Sequence, residues 1–214
     1  MKKAIVIGST GMVGTQLIQL LLHDKTYAEV HSFVRRKSGI IHPKLIEHII
    51  NFDQPEKWSK LVTGDVFFST MGTTIAKAKT KDEQYKTDFT YQFTMAEIAA
   101  KNGVSTYVLI SSAGADAKSK AFYMSMKGKL DEAVQTLAFK HINILRPGQL
   151  AGDRTEKRFG EKVGLSVMYG LNKLGLFMRY KPIQAYEVAQ AMINAEKKMY
   201  SAIYTLDEVH KLAK

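Results

Sequence analysis

A tyrosine and a lysine stand four residues apart in "YMSMK", Tyr123 and Lys127. On a helix, side chains at i and i+4 share one face. A phenol with a reference pKa of about 10 is a poor acid near neutrality. A cation about 4 Å away in an effective dielectric of about 20 supplies up to roughly 4 kcal/mol, enough to bring the phenol within reach of neutral pH. So placed, it can pass a proton to or from a carbonyl or alcohol oxygen. Just upstream, Ser111 and Ser112 end the apolar run "VSTYVLISS" (104–112), where one hydroxyl can hold the same oxygen.

Three glycines, Gly8, Gly11 and Gly14, follow the apolar run of "KKAIVI" and precede a helical pattern with Val13, Leu17, Leu20 and Leu21. A strand, a glycine turn and a helix in this order form a pyrophosphate cradle. The glycines give the tight turn, the close backbone approach and the helix–strand packing, and the helix N-terminus offers free N–H groups. The candidate contacts there are Gly8, Thr10, Gly11, Met12, Val13 and Gly14. About twenty residues on, "HSFVRRKSG" places Arg35 and Arg36 at the tip of a second strand, with no carboxylate beside them. An acid at that point accepts from a ribose 2′-hydroxyl, whereas arginine accommodates a 2′-phosphate. The pair selects NADP over NAD, with Lys37 a weaker third. Asp53, at the end of the third strand, stands either to accept from the adenine amino group or to form a turn or cap.

These groups need a frame. Strands are expected at 2–7, 28–35, 44–53, 64–70, 104–112 and 141–148, with helices at 11–24, 82–102 (Gly103 as its C-cap) and 119–138. Such alternation predicts an α/β fold, a doubly wound parallel sheet with helices on both faces. Beyond Pro147 the rhythm loosens into a helix (161–173), a strand near 179–183, a helix (185–198), a strand (202–205) and a terminal helix. The 214 residues read as one domain, with a cofactor-binding core over 1–150 and mostly substrate-side elements over 151–214.

"GSTGMVG", "SSAGAD", "YMSMK" and "LRPG", in this order, resemble the atypical short-chain dehydrogenase/reductase superfamily, a Rossmann fold. More narrowly, "RRK", "STMGTT", "SSAGAD", the tyrosine–lysine pair followed by Gly128, and "LRPG" resemble its Tat-interacting-protein oxidoreductase subgroup. The resemblance spans nearly the whole chain and implies an NADP-binding fold with a small C-terminal substrate region. It makes Tyr123 the proton donor, Lys127 the residue that binds the nicotinamide ribose and assists Tyr123, and Ser112, or alternatively Ser111, the carbonyl-orienting hydroxyl. "STMGTT" lies beneath the cofactor, with Gly72 giving close approach and Thr73 or Thr74 hydrogen-bonding. Pro147 and Gly148 bound the nicotinamide pocket. One departure stands out: the asparagine that completes the family's usual proton relay has no clear counterpart on the 82–102 helix.

Two functions follow, from different classes. One is an NADP(H)-dependent oxidoreductase that transfers hydride between the nicotinamide and a small carbonyl or alcohol. The other is a non-catalytic NADP(H)-binding sensor that acts through a protein partner. The net charge of +11 comes from lysines spread along the chain, with no nucleic-acid-reading motif. The six histidines lie apart without ligand spacing, so no metal is expected. No stretch has the length of a membrane span; "GLSVMYGLNKLGLFM" is read as substrate cover, with Met168, Tyr169, Phe177 and Met178 as pocket lining or core. With no cysteine and no export signal, the expected location is the cytoplasm.

Overall fold

The computed structural model describes residues 1–151 and 181–214. Buried side chains build the strands β1 (Lys2–Ile7), β2 (Tyr27–Val34), β4 (Val66–Ser69), β5 (Thr106–Ile110) and β6 (His141–Arg146), and the partly exposed strands β3 (Leu45–Ile49) and, near the end, β9 (Ala202–Thr205) take the edges. They form one sheet in the order β3-β2-β1-β4-β5-β6-β9. Every pairing is parallel. The order reverses between β1 and β4, and the crevice outside the carboxyl ends of those two strands is where such sheets take a ligand. A separate parallel pair, β7 (Leu150–Ala151) and β8 (Ile183–Gln184), lies beside it.

Two apolar layers sandwich the sheet. On one face α1 (Met12–His23), α6 (Ala185–Glu196) and α7 (Asp207–Leu212) cover Ala4, Val6, Val30, Val66, Phe68, Val108 and Leu145. On the other, α4 (Tyr91–Lys101) and α5 (Phe122–Val134) cover Ile5, Ile7, Phe33, Phe67, Tyr107, Leu109 and Ile144. Trp58 is buried in the second layer, and its indole N–H donates to Asn51 O (2.8 Å).

A single turn, α2 (Ile75–Ala78), precedes the long helix expected over 82–102. That helix starts with α3 (Lys81–Tyr85), capped by the Thr80 hydroxyl, which accepts from Glu83 N. It passes through a π-turn at Lys86–Thr90 before continuing as α4. It ends as expected at Gly103 (φ 83°): Gly103 N donates to Ala100 O and Val104 N to Ala99 O, a Schellman closure. Other boundaries moved slightly. The third strand stops at Ile49, so Asp53 lies beyond it, and α5 begins at Phe122. The helix expected at 161–173 and the residues Met168, Tyr169, Phe177 and Met178 lie outside the described residues, and only the end of the strand near 179–183 is described.

Candidate active site

The β1–α1 turn has the steric form of a cradle. Gly8 sits at φ 76°, and a Cβ there would lie 2.5 Å from the backbone nitrogen of Met71. A Cβ on Gly14 would fall inside contact with Gly8 O and 2.7 Å from Thr70 Oγ1, a hydroxyl that donates to Ile7 O. Gly11 is less constrained, with Gly8 O at 3.1 Å from its Cβ position. Neither a capping side chain nor an acidic residue occupies the first turn of α1, an arrangement compatible with an anion at that helix end. Thr10 and Gly11 are exposed there, whereas the Val13 side chain packs into the core.

In the β1–β2 register Ile7 pairs with Phe33, so Arg35 follows at the tip beside the glycine turn. A hydrogen bond from Ser32 Oγ to Ser9 Oγ (2.6 Å) ties the two tips together. Arg35, Arg36 and Lys37 are all exposed. The Glu47 carboxylate accepts from Ser38 N (3.1 and 3.3 Å), directly after the three cations in the chain. Asp53 is already engaged, since its Oδ1 accepts from the Tyr91 hydroxyl and from Lys86 Nζ, both at 2.8 Å. Those two donors hold its carboxyl below the usual range.

At the far side, Tyr123 and Lys127 occupy one face of α5. Lys127 is 3% exposed, Tyr123 is 37% exposed, and the ammonium sits 6.0 Å from the tyrosine ring centre. Gly128 makes this placement possible: a Cβ there would collide with the backbone of Asp116 and Ala117. That segment is bound to α5 by Asp116 N donating to Met124 O and Ser125 Oγ donating to Ala117 O. It is bound to the β6 tip by Ala113 N donating to Pro147 O. Of the two serines, Ser111 is buried beside the Asp131 carboxylate, whereas Ser112 is half-buried and its hydroxyl makes a long bond to Ala113 O (3.3 Å). Gly148 borders Leu206 and Lys181 O. Among the described residues, Gly72 has Asp88 Oδ2 near its Cβ position, at 3.6 Å.

Asp88 is the residue the sequence reading missed. On the π-turn and 1% exposed, it accepts from Thr73 N through Oδ1 (2.6 Å), and its Oδ2 lies 3.9 Å from Lys127 Nζ. The helix that lacks the relay asparagine thus supplies a carboxylate. A charged residue flanked by Thr87 and Phe89 in a helical pattern is a weak signal, readable only once the phase of the π-turn is known. Burial pushes its carboxyl up, opposed by Lys127 and the Thr73 N–H.

The histidines are less scattered than expected. His31 Nδ1 and His48 Nε2 share a hydrogen bond (2.8 Å), and His31 Nε2 meets Glu29 Oε2 (2.9 Å). No group of three or more ligand side chains suited to a metal ion occurs among the described residues, and no described helix is long and apolar enough to cross a membrane.

A family model for NAD(P)H-binding proteins matches residues 8–195. Protein FMP52-1, mitochondrial, of Scheffersomyces stipitis is 34% identical over 203 residues, 92% of this chain and 89% of the relative. Protein FMP52, mitochondrial, of Candida albicans is 32% identical over 221 residues, 97% and 96% of the two chains. Among solved structures, the UDP-glucose 4-epimerase of Thermus thermophilus in complex with NAD superposes with a TM-score of 0.70 at 15% identity, covering 99% of this chain and 82% of that one. The ADP-L-glycero-D-manno-heptose-6-epimerase of Helicobacter pylori gives 0.71 at 19%, covering 96% and 76%. At such identities the likeness is one of fold. The relatives' names correct the cytoplasmic expectation, because they are mitochondrial proteins. A cysteine-free composition suits any reducing compartment, so it could not distinguish the two.

Proposed function

Since this chain belongs to the NAD(P)H-binding family and has the Rossmann fold of short-chain dehydrogenase/reductase enzymes, we propose that it is an NADP(H)-dependent oxidoreductase of a small carbonyl or alcohol. The observation that carries this reading is the buried Lys127 ammonium beneath the exposed Tyr123 ring. A protein that only holds a dinucleotide has no need to bury a cation under an exposed phenol.

Gly8, Thr10, Gly11, Met12, Val13 and Gly14 would hold the pyrophosphate through backbone N–H groups and the α1 N-terminus. Arg35 and Arg36 would fork onto the 2′-phosphate, which is the reason to favour NADP over NAD. Asp53 would border the adenine with its second oxygen, and the Met71–Thr74 segment, including Gly72 and Thr73, would lie beneath the cofactor. Pro147, Gly148 and Ser111 would wall the nicotinamide end. When bound, NADP(H) supplies or takes up a hydride. Tyr123 then donates a proton to the carbonyl oxygen in reduction, or removes it from the alcohol in oxidation. Lys127 stabilises the phenolate that this transfer leaves, and the Ser112 hydroxyl donates to the same oxygen and orients it. Residues 1–150 would hold the cofactor, with the substrate region beyond.

NADPH consumption across a panel of small aldehydes and ketones, with Tyr123→Phe in parallel, tests this. At least one carbonyl should turn over, with the variant slower by about 100-fold or more while still binding NADPH. Tight NADPH binding with no turnover across the panel would replace the oxidoreductase by the sensor reading.

A further inference from the structure

The π-turn at Lys86–Thr90 does more than interrupt a helix. It sends Lys86 to Asp53 on one side and Asp88 toward Thr73 and Lys127 on the other. The carbonyl of Asp88 accepts from Gln92 Nε2 (2.6 Å), whose Oε1 takes the Ser69 hydroxyl (2.6 Å), so the turn is fastened to the end of β4. The Gln84 side chain holds Thr73 O from the same helix (3.3 Å). Among the described residues, the buried lysine and the three charged groups around it balance. Lys127 and Arg146 are the cations; Asp88, from the π-turn, and Asp131, one turn further along α5, are the carboxylates. Asp131 is committed to Arg146, whose Nε lies 2.8 Å from Oδ2. Tyr123 faces Lys127 on α5, and Lys81 of α3 stands over the neighbouring Phe122 ring (5.6 Å).

We propose that Asp88 is a positioning residue with a double role, in which one oxygen fixes the segment beneath the cofactor and the other is the counter-ion that keeps Lys127 charged under Tyr123. Without it, the buried Lys127 and the half-buried Arg146 share one carboxylate among the described residues, and that one is already bonded to Arg146. The excess positive charge is relieved when Lys127 releases its proton, and the phenol then loses the cation that favours its ionised form. The inference rests on reading Tyr123 and Lys127 as the catalytic pair, but its test needs no substrate. A failed carbonyl panel leaves the test standing, and a failed test leaves NADPH turnover untouched.

The test is an ultraviolet titration of phenolate absorbance, in which subtracting Tyr123→Phe isolates Tyr123 from the other tyrosines. Asp88→Asn keeps an acceptor for Thr73 N and removes only the charge. It should move the Tyr123 midpoint upward by about one pH unit or more. In a Lys127→Met background the same substitution should leave the midpoint where Lys127→Met alone puts it. An unchanged or lowered midpoint, or an equal shift without Lys127, overturns the proposal. Should Asp88→Asn fail to fold, Lys127→Met alone decides. Asp88 then lacks its cation and takes up a proton, giving an infrared protonated-carboxyl band at neutral pH that the wild type lacks. No such band also overturns it.

Discussion

Arg35 and Arg36 stand exposed at the tip of β2, and no ion pair between either one and a carboxylate occurs among the described residues. Charge-assisted bonds to a phosphate contribute about 1.5–3 kcal/mol each. Calorimetry on Arg35→Ala/Arg36→Ala should therefore show NADPH binding weakened about 10- to 100-fold, with NADH affinity nearly unchanged. Equal losses for both dinucleotides would mean that the arginines do not read the 2′-phosphate. The placement of residues like these is legible in a sequence because it follows from short spacing to a neighbouring glycine turn or helix face. Tyr123 and Lys127 share that advantage. Asp88 does not, for its partners Thr73 and Lys127 lie 15 and 39 residues away, and the π-turn shifts the phase by which its face would be inferred. Asp53 was legible as a residue near the third strand, but its bonds to Lys86 and Tyr91 required the fold.

At the level of elements, the strand–helix alternation was readable because short apolar runs alternate with helical spacing, and because the first run ends at Gly8 and the 82–102 helix at Gly103. The pairing of His31 with His48 was not, since seventeen residues separate them and only the parallel β2–β3 register, with Phe33 opposite His48, brings them together. That pairing predicts a pH dependence. Burial first, then the charges of His31 and Lys3, holds His48 below the ordinary imidazole value of about 6.5. The unfolded chain takes this proton more readily than the folded one. The stability contribution is thus complete above about pH 6.5 and is lost as pH falls from there toward the lowered folded value. Urea unfolding at about pH 7.5 and 5.5 should show a smaller loss in His48→Gln than in the wild type. The helix–strand contact at the cradle gives a second prediction. Gly14→Ala places a methyl group against Gly8 O, so α1 must shift away from β1. Overpacking of this kind costs about 1–3 kcal/mol, and the variant should melt several degrees lower and lose NADPH affinity. Unchanged melting and binding would show that the cradle yields more easily than its geometry implies.

Over the whole molecule, the net charge of +11 gives an anionic dinucleotide a favourable long-range field. Stopped-flow association of NADPH should slow as salt is raised from about 0.01 to 0.15 M, and more steeply than that of NADH, because the Debye length contracts from about 30 to 8 Å. Equal salt slopes would place the effect elsewhere. The architecture also joins distant parts of the sequence. The α1 face that carries Leu17, Ile18 and Leu21 shares an apolar layer with Val188, Ala189 and Met192 of α6, and the Lys2 ammonium pairs with the buried carboxylate of Glu196. During synthesis, then, the first helix leaves the ribosome with its oily side bare. It stays so until α6 has been translated, some 170 residues later. The nascent protein spends most of its elongation carrying a patch that a holding chaperone would recognise, and its fold can lock only when the two helices meet.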